Sequence, residues 1–183
     1  MDVLSHMTQT NIVLHPHVLE ILFAYQAKVI QVFKDVLGLY GISHMSISRV
    51  SERQELLTFS STPSLEFNLF KSNLWRFDQT YQTRWYTRCT GSPWQSLYNP
   101  AQYNALHYLK QVKPQYPLGL SFAAKRSNHH VIYSIASQKD NQHMREFFKN
   151  PHDDFYKIGL YCSNLLLPII DGCDKYTTDI SIL

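Results

Sequence analysis

The length, composition and charge of the chain limit the kinds of protein that it can be. With 183 residues it has the size of one domain and can bury roughly two-thirds of its unfolded surface. Apolar residues make up 44% and charged residues 17%, which is typical of a globular protein and not of a disordered one. The net charge of +3 argues against a nucleic-acid-binding surface, and no apolar run reaches the roughly 18 to 20 residues of a membrane span.

The cysteine pattern and the absence of known catalytic motifs limit the possible class of protein further. Cys89, Cys162 and Cys173 are an odd number without CxxC spacing, and the first ten residues do not form a secretory signal. These two features predict free thiols and a reducing compartment, so we expect a cytoplasmic protein. The sequence contains none of the motifs of phosphate loops, serine hydrolases or zinc proteases. We therefore predict a non-enzyme without a metal site or cofactor.

The first sixty residues predict an arm, a helix and a hairpin. We expect residues 1–14 to form a loose arm. Apolar residues at helical spacing, with a proline at the start and glycines at the end, predict a helix over about 17–38. Over 44–60, apolar and polar residues alternate on either side of a short polar turn, which predicts an antiparallel hairpin.

The central third predicts mainly helices. A threonine-proline start predicts a helix over 62–75, and a weaker helical pattern continues over 76–88. Residues 94–98 are predicted as a short strand. An asparagine-proline pair at 99–100 starts another helix, with Val112 among its inward side chains.

The last third predicts the clearest strands and a long helical region. Alternation over 117–125 and again over 131–137, with a turn between them, predicts a second hairpin. A helical region over about 141–170 is divided near Pro151, because proline interrupts a helix. We expect a frayed tail from residue 171.

This order of elements predicts an α+β fold with an antiparallel sheet of about five strands and helices on both faces. Small sensor domains of the PAS and GAF kind share this α-β-α architecture and bind ligands between sheet and helices. The expected organisation is a flexible N-terminal arm (1–14), a ligand-sensing domain (15–170) and a C-terminal tail (171–183).

The stretch from Leu65 to Trp94 contains all three tryptophans and an early acid, Asp78. Aromatic side chains at this density occur in ordinary cores and in the walls of small-molecule pockets. The sequence leaves both readings open. In a pocket, Asp78 would anchor the polar end of a ligand; in a core, it would cap the helix that follows it.

Four segments resemble the N-terminal signal-binding domain of LuxR-type quorum-sensing transcription regulators, a bacterial family. They are GISHMSISRV, PSLEFNLFKSNLWRFDQ, SPWQSL and PLGLSFAAKRSNHHVIYSIAS. The resemblance spans about residues 17–170. It implies an autoinducer-binding domain that takes up a small signal molecule and acts as a dimer.

The resemblance also implies site residues. Asp78 looks like the aspartate that accepts a hydrogen bond from the amide of an acyl-homoserine lactone, Trp94 like a tryptophan that closes the site, and Ser134 like a strand hydroxyl that contacts ligand carbonyls. For Trp94 a purely structural wall, and for Ser134 a core hydroxyl bonded to backbone, remain alternatives. The predicted ligand-binding residues are Leu69, Phe70, Trp75, Asp78, Tyr81, Trp94 and Ser134.

The chain departs from the family pattern in three respects. The family's tryptophan and tyrosine, four residues apart on the pocket helix, correspond here to Leu65 and Leu69 or to Glu66 and Phe70. Gln79 follows the aspartate where proline is usual. The family's DNA-binding module of four helices does not follow before Leu183. A lactone headgroup would lose hydrogen-bond partners in such a pocket, so we expect a more apolar signal.

Two functions follow from these observations. The first is a small-molecule-sensing regulatory domain that binds an apolar signal between sheet and helices and acts as a homodimer or with a full-length relative. The second is an interaction or effector protein that keeps the fold with a collapsed pocket and binds another protein. Neither requires a membrane or direct nucleic-acid binding by this chain.

Overall fold

The computed structural model describes the backbone of residues 12–179 and the side chains of residues 12–173. The predicted arm up to residue 11 and the end of the predicted tail lie outside the described residues. Within the described part, the strands form one sheet. They are β1 (Val13–Leu14), β2 (His44–Val50), β3 (Glu55–Ser60), β4 (Gly91–Pro93), β5 (Leu118–Arg126) and β6 (His129–Ser137).

The helices connect and cover these strands. They are α1 (Val18–Ala24), α2 (Gln26–Lys34), α3 (Pro63–Lys71), α4 (Thr83–Tyr86), α5 (Trp94–Leu97), α6 (Tyr103–His107), α7 (Gln142–Phe147) and α8 (Asp153–Asp179). The helix predicted over 17–38 is broken at Tyr25, and the last helical region is divided near Pro151 as predicted. Helix α8 continues to Asp179, where a frayed tail was predicted from 171. No helix within residues 12–179 combines the length and apolarity needed to cross a bilayer.

The sheet has the strand order β1-β3-β2-β6-β5-β4. The two predicted hairpins, β2–β3 and β5–β6, meet in its centre through antiparallel pairing of β2 with β6. Only β1 pairs in parallel, with β3. The predicted α+β class with an antiparallel sheet is confirmed, with six strands where about five were expected.

Two short edge strands account for the difference. Val13 and Leu14, in the segment expected to be a loose arm, pair with β3. Strand β4 lies just before the strand predicted over 94–98, which was wrong because Trp94 begins helix α5. Pro93 cannot donate a backbone hydrogen bond, so it is tolerated at this edge, where the chain leaves the sheet.

Each face of the sheet carries its own apolar core. In β5, Leu120 and Phe122 point to the face covered by α2, α7 and α8, whereas Ala123 points to the face covered by α3 to α6. This is the alternation predicted for β5, because successive strand side chains point to opposite faces. All three tryptophans lie on the second face, which we call the tryptophan face.

Candidate functional site

A row of serines crosses the sheet on the tryptophan face. The strand register places one serine of each of five neighbouring strands directly opposite the next, and residues paired in this way point to the same face. In sheet order the row consists of Ser60, Ser46, Ser134, Ser121 and Ser92. The sheet therefore presents a line of hydroxyl groups to the aromatic side chains that cover the tryptophan face.

The middle of the serine row is hydrogen-bonded to the aromatic layer above it. The hydroxyls of Ser121 and Ser134 lie 2.8 Å apart, and Trp94 Nε1 donates to Ser121 Oγ at 3.0 Å. Trp94 and Ser121 are fully buried, whereas Ser134 retains 7% exposure in the middle of a strand that is covered on both faces. All three side chains therefore lie in the buried interior.

Three aromatic rings form the outer part of the layer. Phe70, Trp75 and Tyr81 contact one another edge to face, with centroids 6.0 to 6.5 Å apart. The Tyr81 hydroxyl hydrogen-bonds to Ser48, and burial followed by the negative charges of Asp78 and Glu66 raises the pKa of Tyr81. This tyrosine therefore stays neutral at physiological pH.

The Asp78 carboxylate is completely buried and has two partners. Its Oδ1 accepts a hydrogen bond from the Thr80 backbone N–H at 3.0 Å, which caps the short 3₁₀ turn that follows. Its Oδ2 accepts one from Lys110 Nζ at 2.6 Å. A backbone bridge between Asp78 and Tyr98 fixes its position. The capping role considered from the sequence is therefore present, together with an ion pair that was not predicted.

Lys110 reaches the interior because the chain forms a π-helical turn over Tyr108–Val112. The wider turn makes both Lys110 and Gln111 buried, although they are adjacent in sequence. Val112, predicted to point inward, is instead 50% exposed, because its place in the core is taken by these two polar residues.

Gln111 holds the ring of Tyr98 beside the ion pair. Tyr98 donates from its hydroxyl to Gln111 Oε1 at 2.9 Å, and Gln111 Nε2 donates to the Pro117 carbonyl at 3.0 Å. Burial and the charge of Asp78 raise the pKa of Tyr98 far above its ordinary range, so it also remains neutral. Lys110 Nζ lies 5.4 Å from the centre of this ring and 4.3 Å from that of Trp94.

A second buried pair of ionisable groups lies on α3 and β2. His44 Nε2 is 3.3 Å from Glu66 Oε1, without the alignment of a hydrogen bond. On its other side, His44 Nδ1 lies 3.0 Å from the Thr62 hydroxyl, which in turn contacts the Tyr116 hydroxyl at 3.0 Å. These contacts tie the start of α3 to the sheet.

Four polar atoms of this layer are buried without a hydrogen-bond partner among the described residues. They are Trp75 Nε1, Thr80 Oγ1, Glu66 Oε2 and His44 Nε2, the last of which is only in ion-pair range of Glu66. Buried polar groups almost always have a partner, and an unmet one costs about 1 to 3 kcal/mol. Together with the serine row, they mark the interior above it as the candidate site.

All seven residues predicted to bind a ligand are buried on this side of the sheet. The structure links Ser134 to Ser121, Trp94, Lys110 and Asp78 through the contacts given above, and it groups the remaining aromatic residues beside them. Ser134 bonds to a side chain and not to backbone. Whether the seven residues hold a ligand remains a prediction.

Sequence reasoning missed Lys110 and most of the serine row. Lys110 lies in a segment read as an ordinary helix, and its partner is 32 residues away. The serines carried a usable signal, because MSIS, LSF and YSI each place a serine between inward-facing apolar residues of a strand.

Comparison with solved structures relates the fold of this chain to that of a known regulator. No protein-family model and no curated protein matches the chain. The crystal structure of Escherichia coli SdiA, a LuxR-type quorum-sensing regulator, superposes with a TM-score of 0.56 at 8% sequence identity. The match covers 84% of this chain and 68% of SdiA. The chain therefore has the fold of the signal-binding region of SdiA.

Proposed function

We propose that this chain is a signal-sensing regulatory domain of the LuxR type, spanning about residues 15–170, and that it is not an enzyme. A small molecule binds on the tryptophan face, between the serine row and the aromatic layer. The observation that carries the proposal is the coincidence of an SdiA-like fold with buried polar atoms that lack hydrogen-bond partners beside the serine row.

The chemistry of the layer limits the ligand. Its walls are aromatic and aliphatic, including Leu69, Phe70 and Tyr81, so most of the guest is apolar. The indole N–H of Trp75 only donates, whereas serine hydroxyls both donate and accept. A guest with an apolar body and a polar end that carries a hydrogen-bond-accepting oxygen meets both requirements.

Binding requires the interior to open. Pockets for small molecules usually enclose about 300 Å³ or more. Trp75, Asp78 and Trp94 are at most 1% exposed, so the side chains of the aromatic layer cover the interior in which such a pocket would lie. The guest therefore displaces side chains of the aromatic layer as it enters.

A regulatory domain needs a surface for its partner. Helix α8 exposes Leu160, Tyr161, Leu165 and Leu167, each at 37% or more. Phe147 and Phe148, which precede α8, pack against the core and do not extend this surface. A homodimer, or a heterodimer with a full-length relative, through α8 is part of the proposal.

One observation favours a second function. The carboxylate of Asp78 is already bonded to Lys110, and Trp94 lies under the same ammonium. An interior whose charged group is satisfied by the chain itself needs no guest to stay folded. The alternative is an interaction or effector protein that keeps the fold with a closed interior and binds another protein.

A thermal-shift screen separates the two functions. Acyl lactones, hydroxyketones and fatty acids are added to the wild type, to Ser134→Ala and to a control, Ser163→Ala, which removes a buried hydroxyl on the other face. A ligand at 100 times its dissociation constant stabilises by about 2.7 kcal/mol, or roughly 5–11 °C in melting temperature for a chain of this length.

We expect at least one compound to stabilise the wild type and Ser163→Ala more than Ser134→Ala. No stabilisation by any class would contradict the sensing function. In that case, self-association or partner binding by the unliganded chain would support the closed-interior alternative.

A further inference from the structure

The ammonium group of Lys110 has an unusual environment. Its side chain is 3% exposed and that of Asp78 is completely buried. The ammonium contacts one carboxylate oxygen at 2.6 Å and lies over the faces of Trp94 and Tyr98. A carboxylate with two aromatic faces is the combination that recognises ammonium ions in binding proteins, because each ring face is electron-rich.

Asp78, Trp94 and Tyr98 form the walls of a small chamber around the ammonium group. Each wall is also held in place by a contact that does not involve Lys110. Trp94 is fixed by its hydrogen bond to Ser121, and Tyr98 by its bond to Gln111. Asp78 is fixed by the Thr80 backbone N–H and by the bridge to Tyr98. The chamber would therefore keep its shape if the lysine side chain were shortened.

We propose that Asp78, Trp94 and Tyr98 form an ammonium-binding site that the chain fills with its own Lys110. Lys110 acts as an internal ligand. The π-helical turn delivers it, since this turn points Lys110 and Gln111 inward together. The occupied chamber keeps the interior closed when no guest is present.

One consequence rests on the proposed function. A signal molecule whose polar end donates N–H groups must compete with a tethered ammonium for Asp78, whereas a neutral oxygen acceptor need not. The internal lysine therefore selects against cationic and amide-donating headgroups. Shortening it should reverse that selection.

The test replaces the lysine side chain by a free ion. Lys110→Ala removes the atoms of n-propylammonium, so this ion is the probe, with sodium chloride and tetramethylammonium chloride at equal concentration as controls. Removing one member of a buried ion pair should lower the melting temperature of Lys110→Ala by roughly 6–20 °C. Propylammonium should restore part of this loss, and the two control salts should not.

Matched variants make the result specific. The wild type and Lys113→Ala, which removes an exposed lysine of the same segment, should show no response that distinguishes propylammonium from the control salts. Asp78→Asn combined with Lys110→Ala should also lose the response, because the carboxylate is gone. If Lys110→Ala does not fold alone, its refolding yield with and without propylammonium is the readout.

Two results would overturn the proposal. One is a Lys110→Ala variant as stable as the wild type, and the other is equal rescue by all three salts. No signal molecule is used, so this experiment can fail while a signal still binds elsewhere in the interior, and it can succeed when the thermal-shift screen finds none.

Discussion

Replacing Gly119 with alanine tests how tightly Trp94 is held above the sheet. A Cβ atom added at Gly119 would lie 2.1 Å from Trp94 Cδ2 and 2.2 Å from Cε3. Carbon atoms in contact prefer about 3.5 to 4.0 Å, so the ring must move by more than about 1 Å. A fully buried ring that donates to Ser121 cannot do so without losing contacts.

The magnitude follows from two costs. Overpacking a core costs about 1 to 3 kcal/mol, and leaving the buried indole N–H without its partner costs about 1 to 3 kcal/mol more. We expect Gly119→Ala to lower the free energy of unfolding by about 2 to 6 kcal/mol. The melting temperature should fall by roughly 4–24 °C.

Urea denaturation followed by circular dichroism measures this loss, and tryptophan fluorescence reports on the displaced ring. Gly172→Ala is the matched control, because a Cβ atom there meets nothing within 4 Å and alanine stabilises a helix by up to about 1 kcal/mol. A Gly119→Ala protein within about 0.5 kcal/mol of wild type would refute the packing of Trp94 described above.

Two further predictions concern buried side chains. Asp78→Asn and Lys110→Met should each cost about 3 to 5 kcal/mol in urea denaturation, whereas the double variant should cost less than either, and additive losses would contradict a buried ion pair. Burial raises the pKa of the Cys162 thiol to about 12, so at pH 8 only the exposed Cys89 should react rapidly with a thiol reagent. Rapid labelling that persists in Cys89→Ser would show that the interior opens.

Local patterns predicted the parts of the fold that local physics decides. The two hairpins were found because their alternation serves a sheet with two covered faces, and the same alternation placed Ser134 beside the aromatic layer. Asp78 was singled out because a buried carboxylate among aromatic residues is costly unless it has a partner. The fold class and this group of site residues were therefore within reach of the sequence.

The parts of the structure that depend on partners far away in the sequence could not be predicted from it. Val13 and Leu14 form a strand because β3 offers an open edge, and the apolar run around them is too short to predict a strand by itself. Lys110 is buried only because Asp78, 32 residues earlier, neutralises it and the π-helical turn aims it inward. Helical spacing alone predicted Val112 at that place. Reading each segment separately cannot reveal that a buried charge in one segment is paired with an opposite charge in another.

Native mass spectrometry of the protein purified from expressing cells tests the central claim most directly. The account predicts a bound small molecule that is retained by the wild type under gentle ionisation and weakened in Ser134→Ala. The bare mass of the chain alone, under conditions that preserve its folded charge states, would contradict a sensing interior on the tryptophan face.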